Sequence, residues 1–253
     1  MSCETYLAEL ARRLERLAAT QVTAIRQAAR LAADAIAGGG LVHLFGTGHG
    51  SIPALEAFPR TGSFVGWNPI VVDALGPHLR VGGDGSVHQF RYLQGAAAYG
   101  KAILESFPVR AGDAFVVFSH SGVNPVVVEV ALEVRGRGLP LVAVTSLEHS
   151  QRSTSRHPSG KRLFEVADVV IDTGAPFGDA VVEVPGLAQP VAAVSTSLAV
   201  AVTNSLVAET ARLLAERGVP VLVLGHMDRQ GRAIPDEMRR DYVKAYQDRL
   251  WRR

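Results

Sequence analysis

Residues 114–146 read AFVVFSHSGVNPVVVEVALEVRGRGLPLVAVTS. The stretch opens with five apolar residues and no polar alternation, the pattern of a strand buried on both faces. It runs directly into Ser119-His120-Ser121-Gly122-Val123-Asn124, and Pro125 then stands where a helix tolerates proline, at its first position. The segment from 125 to 138 reads as that helix, Gly136 and Gly138 end it, and 139–146 reads as the next strand. Strand, turn, helix and strand in this order make a βαβ unit with parallel strands.

The same grammar extends in both directions. Residues 5–37 carry Leu7, Leu10, Leu14, Leu17, Val22, Ile25, Ala29, Ala32 and Ile36 at spacings of three and four, which predicts one long helix ended by Gly38-Gly39-Gly40. A strand at 41–45 follows, then the turn GTGHGS (46–51) and a helix from about Ser51. A short strand is expected at 69–73 and a helix over 91–107, with the glycine-rich stretch 79–90 between them unassigned. After 146, residues 147–160 read as a polar loop or frayed helix, 166–173 as a strand and 174–186 as a connection. A nearly all-apolar helix is expected at 194–218, a last strand at 219–225, and a charged amphipathic helix from about Pro235. The expected fold is α/β with a mostly parallel sheet covered on both faces. No repeat or linker divides the chain, so 1–253 reads as one domain: an N-terminal helix (1–38), an α/β core (39–225) and a helical tail (226–253).

Composition narrows the function. The chain has 253 residues, 47% of them hydrophobic, which is ample for a core. With 26 Lys and Arg against 24 Asp and Glu the net charge is +2, the basic excess lies near the ends, and no basic groove interleaved with aromatics is present. Nucleic acid is not an expected partner. Cys3 is the only cysteine, so an intrachain disulfide, a thiolate metal site and an interior Cys nucleophile are all excluded. The N-terminus is charged and no stretch reads as the roughly 20 apolar residues of a membrane span, so a cytoplasmic protein with no membrane partner is expected.

Three strand ends carry glycines and hydroxyls: Thr47-Gly48-His49-Gly50-Ser51, Ser119 to Asn124, and Thr145-Ser146. In a parallel sheet they fall on one edge, where backbone N–H groups and helix N-termini favour an anion. Ordinary helix capping is the alternative. GTGHGS approaches a dinucleotide-binding GxGxxG turn, but its sixth position is Ser51, and no GK[ST] follows to make a phosphate-binding P-loop. No cofactor is expected.

GTGHGSIPALEAFPRTG (46–62) and VVFSHSGVNPVVVEVALEVRGRGLPLVAVTSLEHS (116–150) resemble the two ligand loops of sugar isomerase (SIS) domains. The likeness extends through 155–186 and 195–209, toward sugar isomerase domain-containing proteins and, more distantly, sedoheptulose-7-phosphate isomerases and the sugar-phosphate-binding domain of glucokinase regulators. It implies a three-layer α-β-α sandwich of flavodoxin-like, nucleotide-binding-like type, and a phosphorylated sugar held by Ser119, Ser121 and Asn124, with Ser51 and the Thr47–Gly50 backbone closing the site. It also marks Glu56 as the position of a carboxylate in these isomerases. The first loop reads GHGS where near relatives read GHSH, and the zinc-ligand positions of the heptose isomerases match Ile52, Thr196 and Asn204 here, so no metal is expected. SIS relatives commonly complete their sites from a neighbouring subunit, which implies a homodimer or homotetramer.

On that reading Glu56, about 7.5 Å along a helix from Ser51, is the candidate general base of an aldose–ketose isomerase. Its bland alternative is an ion pair with Arg60 four residues on. His149 and His157 are candidates for ring opening, while His49 and His120 sit in the ligand loops. Thr145, Ser146, Asp179 and Thr196 are further candidates for contact with the sugar, and Asn204 shares a helical face with Thr196. A sugar-phosphate sensor without turnover, and an amino-sugar-phosphate lyase or etherase, are the alternatives.

Overall fold

Three strands whose residues are all buried form the centre of the protein: β1 (Val42–Gly46), β3 (Ala114–Phe118) and β4 (Leu141–Thr145). The shorter β2 (Trp67–Pro69) and β5 (Val169–Asp172) flank them. The computed structural model describes residues 2–76, 81–83, 85–228 and 230–251. All neighbouring strands are parallel, in the order β2-β1-β3-β4-β5, with Leu44 opposite Val116 and Val144 opposite Ile171. The chain builds outward from β1 to β2 and then crosses back to place β3 on the other side of β1. That reversal opens a crevice beyond the carboxyl ends of β1 and β3, the usual place for a ligand in such a sheet.

Alternate residues feed two cores. Val42, Leu44, Val116, Phe118, Val142 and Val144 face α2 (Val22–Ala37), α3 (Ser51–Glu56), α8 (Ser195–Glu216) and α9 (Asp236–Leu250). Phe45, Phe115, Val117, Leu141 and Ala143 face the other side, with α5 (Ala97–Glu105) and α6 (Pro125–Gly136). The remaining helices are α1 (Ser2–Thr20), α4 (Val87–Gly95) and α7 (Leu147–Gln151). The result is a three-layer α-β-α sandwich.

Several elements differ from the sequence reading. The expected helix over 5–37 is two helices separated at Gln21, whose side-chain Oε1 accepts from the Asp172 N–H at the end of β5. The helix over 91–107 also divides, at Ala96. The second strand stops at Pro69, and residues 73–75 form a 3-10 turn. Residues 219–225 do not join the parallel sheet. Leu222 and Leu224 exchange backbone bonds with 62–65, an antiparallel arrangement with Val223 bridged to Phe64. The connection 174–186 contains β6 (Ala180–Val182), which pairs antiparallel with β7 (Val191–Ala193). Of the unassigned stretch 79–90, residues 79, 80 and 84 lie outside the described residues, and α4 begins at Val87.

Helix α8 is long and apolar enough, by length and composition, to cross a membrane. Leu198, Val202, Leu206 and Leu214 on it are nevertheless buried, and its neighbours are α2 and α3, so here it is a core helix. At the edge of the sheet a polar chain is buried as well. Asp113 accepts from the N–H groups of Leu41 and Arg110, each at 2.8 Å, and stands 3.1 Å from His43 Nε2. Asn68 lies 2.9 Å from His43 Nδ1 and accepts from Tyr246 of α9.

Candidate functional site

The first ligand loop is folded so tightly that two of its glycines cannot be replaced without backbone movement. A Cβ on Gly46 would stand 2.1 Å from the Gly50 carbonyl oxygen, and one on Gly50 would stand 2.8 Å from that of Phe118. The loop therefore lies directly against the end of β3. Thr47 faces α4, where the Gln94 amide donates to its hydroxyl at 2.8 Å. Ser51 turns inward and donates to the Gly48 carbonyl at 2.7 Å.

The second loop is stapled by Ser119, whose hydroxyl accepts from the Gly122 N–H at 3.1 Å. Gly122 has φ +64°, and a Cβ there would press on Ser150 Oγ and Thr145 Oγ1 at 3.0 and 3.2 Å. Glycine is thus needed for both conformation and space. Ser121, next to it, makes no side-chain bond among the described residues and is only partly buried. Asn124 then caps α6 by backbone geometry alone, with Pro125 in the first turn. The end of β4 supports this loop from below: Thr145 donates to the His120 carbonyl at 3.2 Å and Ser146 to that of Ala175 at 2.6 Å.

These loops bound a cavity of about 390 Å³. Thr47, Gly48, His49 and Gly50 form one wall, and Ser119, His120, Ser121 and Asn124 the next. His149 and Asp179 close a third side, and Ser195 and Thr196 bring the start of α8 to the same space. Asp179, a non-glycine residue at φ +75°, accepts from the N–H groups of Val194 and Ser195 and from the Ser195 hydroxyl, and so fixes where α8 begins. His149 Nδ1 lies 3.0 Å from His120 Nε2 and 3.2 Å from the Gly178 N–H, and its ring stacks on Phe177 at 4.8 Å. Burial, the largest cause, holds both histidines below the ordinary imidazole range, although the Asp179 carboxylate opposes it.

Five residues expected at the site do not line the cavity. Ser51, Thr145 and Ser146 are consumed in backbone bonds that shape the loops. Glu56 ends α3, pairs with Arg60 and accepts from Asn204 at 3.1 Å, so Asn204 too is directed to Glu56 rather than to the cavity. His157 is held by Glu129 at 2.6 Å and Ser159 at 2.8 Å. Conversely, Phe90 and Gln94 of α4, Thr173 and Ser195 line the cavity without having been singled out. The run Ser195-Thr196-Ser197 at the head of an apolar helix was a readable signal for Ser195, whereas nothing in a plain helical stretch marks Phe90 or Gln94. Among the described residues no group of three or more His, Cys, Asp or Glu side chains is arranged to hold a metal ion.

Comparison with known proteins agrees with this architecture. The chain is 33% identical over 249 residues to a UPF0309 protein of Geobacillus thermodenitrificans, covering 98% of this chain and 96% of the relative. It is 34% identical over 247 residues to the UPF0309 protein GK1441 of Geobacillus kaustophilus, covering 97% and 94%. Among solved structures, phosphoheptose isomerase GmhA from Neisseria gonorrhoeae superposes with a TM-score of 0.56 at 18% identity, covering 83% of this chain and 97% of that one. A phosphoheptose isomerase from Francisella tularensis gives 0.54 at 14% identity, covering 83% and 96%. The Vibrio vulnificus NanR protein complexed with ManNAc-6P gives 0.50 at 14% identity, covering 97% and 66%. Residues 5–146 match the SIS domain model, and with that match spanning more than half of its length the chain belongs to the SIS domain family.

Proposed function

We propose that the chain binds a phosphorylated sugar in the cavity at the carboxyl edge of its sheet and carries out isomerase-type proton transfer on it. The observation that carries the reading is the convergence of the Ser119–Asn124 turn and the Thr47–Gly50 loop on one cavity, at the N-terminus of α6. Amide groups and hydroxyls in that arrangement suit a phosphate dianion. The family, the two phosphoheptose isomerases and the neighbour complexed with ManNAc-6P support the same class of ligand.

Ser121 is the cleanest probe, because among the described residues its hydroxyl has no bond to lose, whereas Ser119 also staples the turn. One charge-assisted hydrogen bond contributes about 1.5–3 kcal/mol, so Ser121→Ala should weaken phosphosugar binding roughly tenfold to a hundredfold. Calorimetry with pentose, hexose, heptose and N-acetylhexosamine phosphates measures this, and equal affinities for the two proteins would remove the site from consideration.

A second reading, a sensor that binds without turnover, is favoured by the place of Glu56, which faces Arg60 and Asn204 rather than the cavity. NMR of any bound phosphosugar in heavy water separates the two. Deuterium entering at C2 supports the isomerase, and tight binding without exchange supports the sensor.

A further inference from the structure

The hydrogen bonds around His149 determine its tautomer. A backbone N–H can only donate, and that of Gly178 meets His149 Nδ1 at 3.2 Å. Nδ1 therefore carries the lone pair, and the single proton of the neutral ring lies on Nε2. His120 Nε2 approaches the same Nδ1 at 3.0 Å, so it must donate too, which leaves the lone pair of His120 on Nδ1. Among the described residues that Nδ1 is buried without a hydrogen-bond partner. A neutral ring tolerates this, but a proton added there would be a buried cation with no acceptor. The bonding pattern and the burial thus agree on two neutral rings. Phe177 covers one face of His149, and among the described residues His149 Nε2, across the ring from both donors, has no hydrogen-bond partner.

We infer that His149 is held as the neutral Nε2–H tautomer and donates a hydrogen bond from Nε2 to a carbonyl or hydroxyl oxygen of the bound sugar, with the Gly178 N–H and the positioning residue His120 as the donors on its Nδ1. The inference rests on the phosphosugar reading and adds to it the group that meets the sugar. A neutral imidazole polarises a carbonyl oxygen as negative charge develops there, and its fixed orientation removes the need to reorganise during the reaction. The surrounding charges are mixed. Asp179 favours protonation of both rings and Glu148 that of His149, whereas Arg152 and Arg156 oppose it at His149. Burial decides the balance for the neutral form.

Long-range proton–nitrogen NMR of the nitrogen-15-labelled, ligand-free protein near neutral pH reads the tautomer directly. The expected spectrum shows His149 with Nε2 protonated and Nδ1 bare. His120→Leu leaves the Gly178 N–H on His149 Nδ1, so the Nε2–H form should persist with a shifted Nδ1 resonance, and His120→Gln, whose amide can donate, should move that resonance back; an Nδ1 resonance unmoved in His120→Leu removes His120 from this role. A protonated Nδ1 or an imidazolium at His149 in the unaltered protein overturns the inference. Titration with fructose 6-phosphate, sedoheptulose 7-phosphate and N-acetylglucosamine 6-phosphate then tests the donor role. Binding, seen as shifts of the Ser119–Asn124 amides, should move the His149 Nε2–H resonance. His149→Phe, checked for an intact melting transition, should weaken binding about fivefold or more, and His149→Gln, which keeps a donor, less. Binding that leaves both the resonance and the affinity of His149→Phe unchanged defeats the donor role while the phosphosugar reading survives. If none of the three sugars binds, the phosphosugar reading fails and takes the donor role with it, and the ligand-free spectrum still decides the tautomer.

Discussion

At the scale of single residues, the two partly buried histidines His120 and His149 couple the cavity to pH. Because burial holds His120 and His149 below the ordinary value of about 6.5, the unfolded chain takes up protons at a higher pH than the folded one. Stability contributed by the neutral pair is complete above that ordinary value and declines as pH falls through it toward the lowered folded values. Urea unfolding at about pH 7.5 and about pH 5 should therefore show a loss that shrinks in the His120→Gln and His149→Gln variants. An unchanged pH dependence in both would mean that other groups control it. Glu56 makes a contrasting case, since its carboxylate is neutralised by Arg60 at the end of α3. If it acts only in that pair, Glu56→Gln should retain phosphosugar affinity and exchange rate and lose no more than about 1 kcal/mol of stability. A general base would instead show a ~100- to 10,000-fold fall in C2 exchange at unchanged affinity, and solvent-exchange NMR on the variant distinguishes the two.

At the scale of elements, the site depends on how closely β1 and β3 are joined to their loops. Gly46→Ala would drive a Cβ into the Gly50 carbonyl, with the Phe118 carbonyl at 3.0 Å behind it. Neither is a flexible side chain that could yield, so the variant should lose more than ~2 kcal/mol of stability. Gly136, in the last turn of α6, has nothing within 4 Å of an added Cβ and no positive φ. Gly136→Ala should be neutral or gain up to about 1 kcal/mol through helix propensity. Thermal melting of the pair gives the comparison, and similar melting temperatures for the two variants would contradict the packing described for the loop. Helix α4 belongs to the same assembly, because the bond from Gln94 to Thr47 ties it across the first loop beside the cavity.

For the whole molecule, the two cores are unequal in what they leave outside. Leu7 and Leu14 on α1 and Val22 at the start of α2 are 63%, 36% and 37% exposed, an apolar surface beyond the sandwich. On that surface we propose that the chain self-associates, as a homodimer or homotetramer. Light scattering at micromolar concentration should then return a multiple of 26.9 kDa, and a mass of 26.9 kDa itself would rule it out.

The sequence by itself determined the elements whose signal is local. The largely apolar runs at 41–45, 114–118 and 139–146, each bounded by glycine- or hydroxyl-bearing turns, read as strands buried on both faces, and Pro125 after Asn124 marks the start of α6 without help from distant residues. Those same runs placed the glycine and hydroxyl loops on one edge, so most of the cavity wall was legible. What remained depended on partners far along the chain. Gln21 separates α1 from α2 because it bonds β5, 151 residues away. Residues 219–225 have the apolar composition of a central strand, yet they pair antiparallel with 62–65 rather than enter the parallel sheet. Likewise, a carboxylate on the helix after a ligand loop has the same sequence signature whether it faces the ligand or an arginine. The contacts of α3 with α8, which bring Asn204 to Glu56, decided that it faces Arg60. The pairing of His120 with His149 follows from loops that close on each other only in the folded chain, and no spacing along the sequence could have specified it.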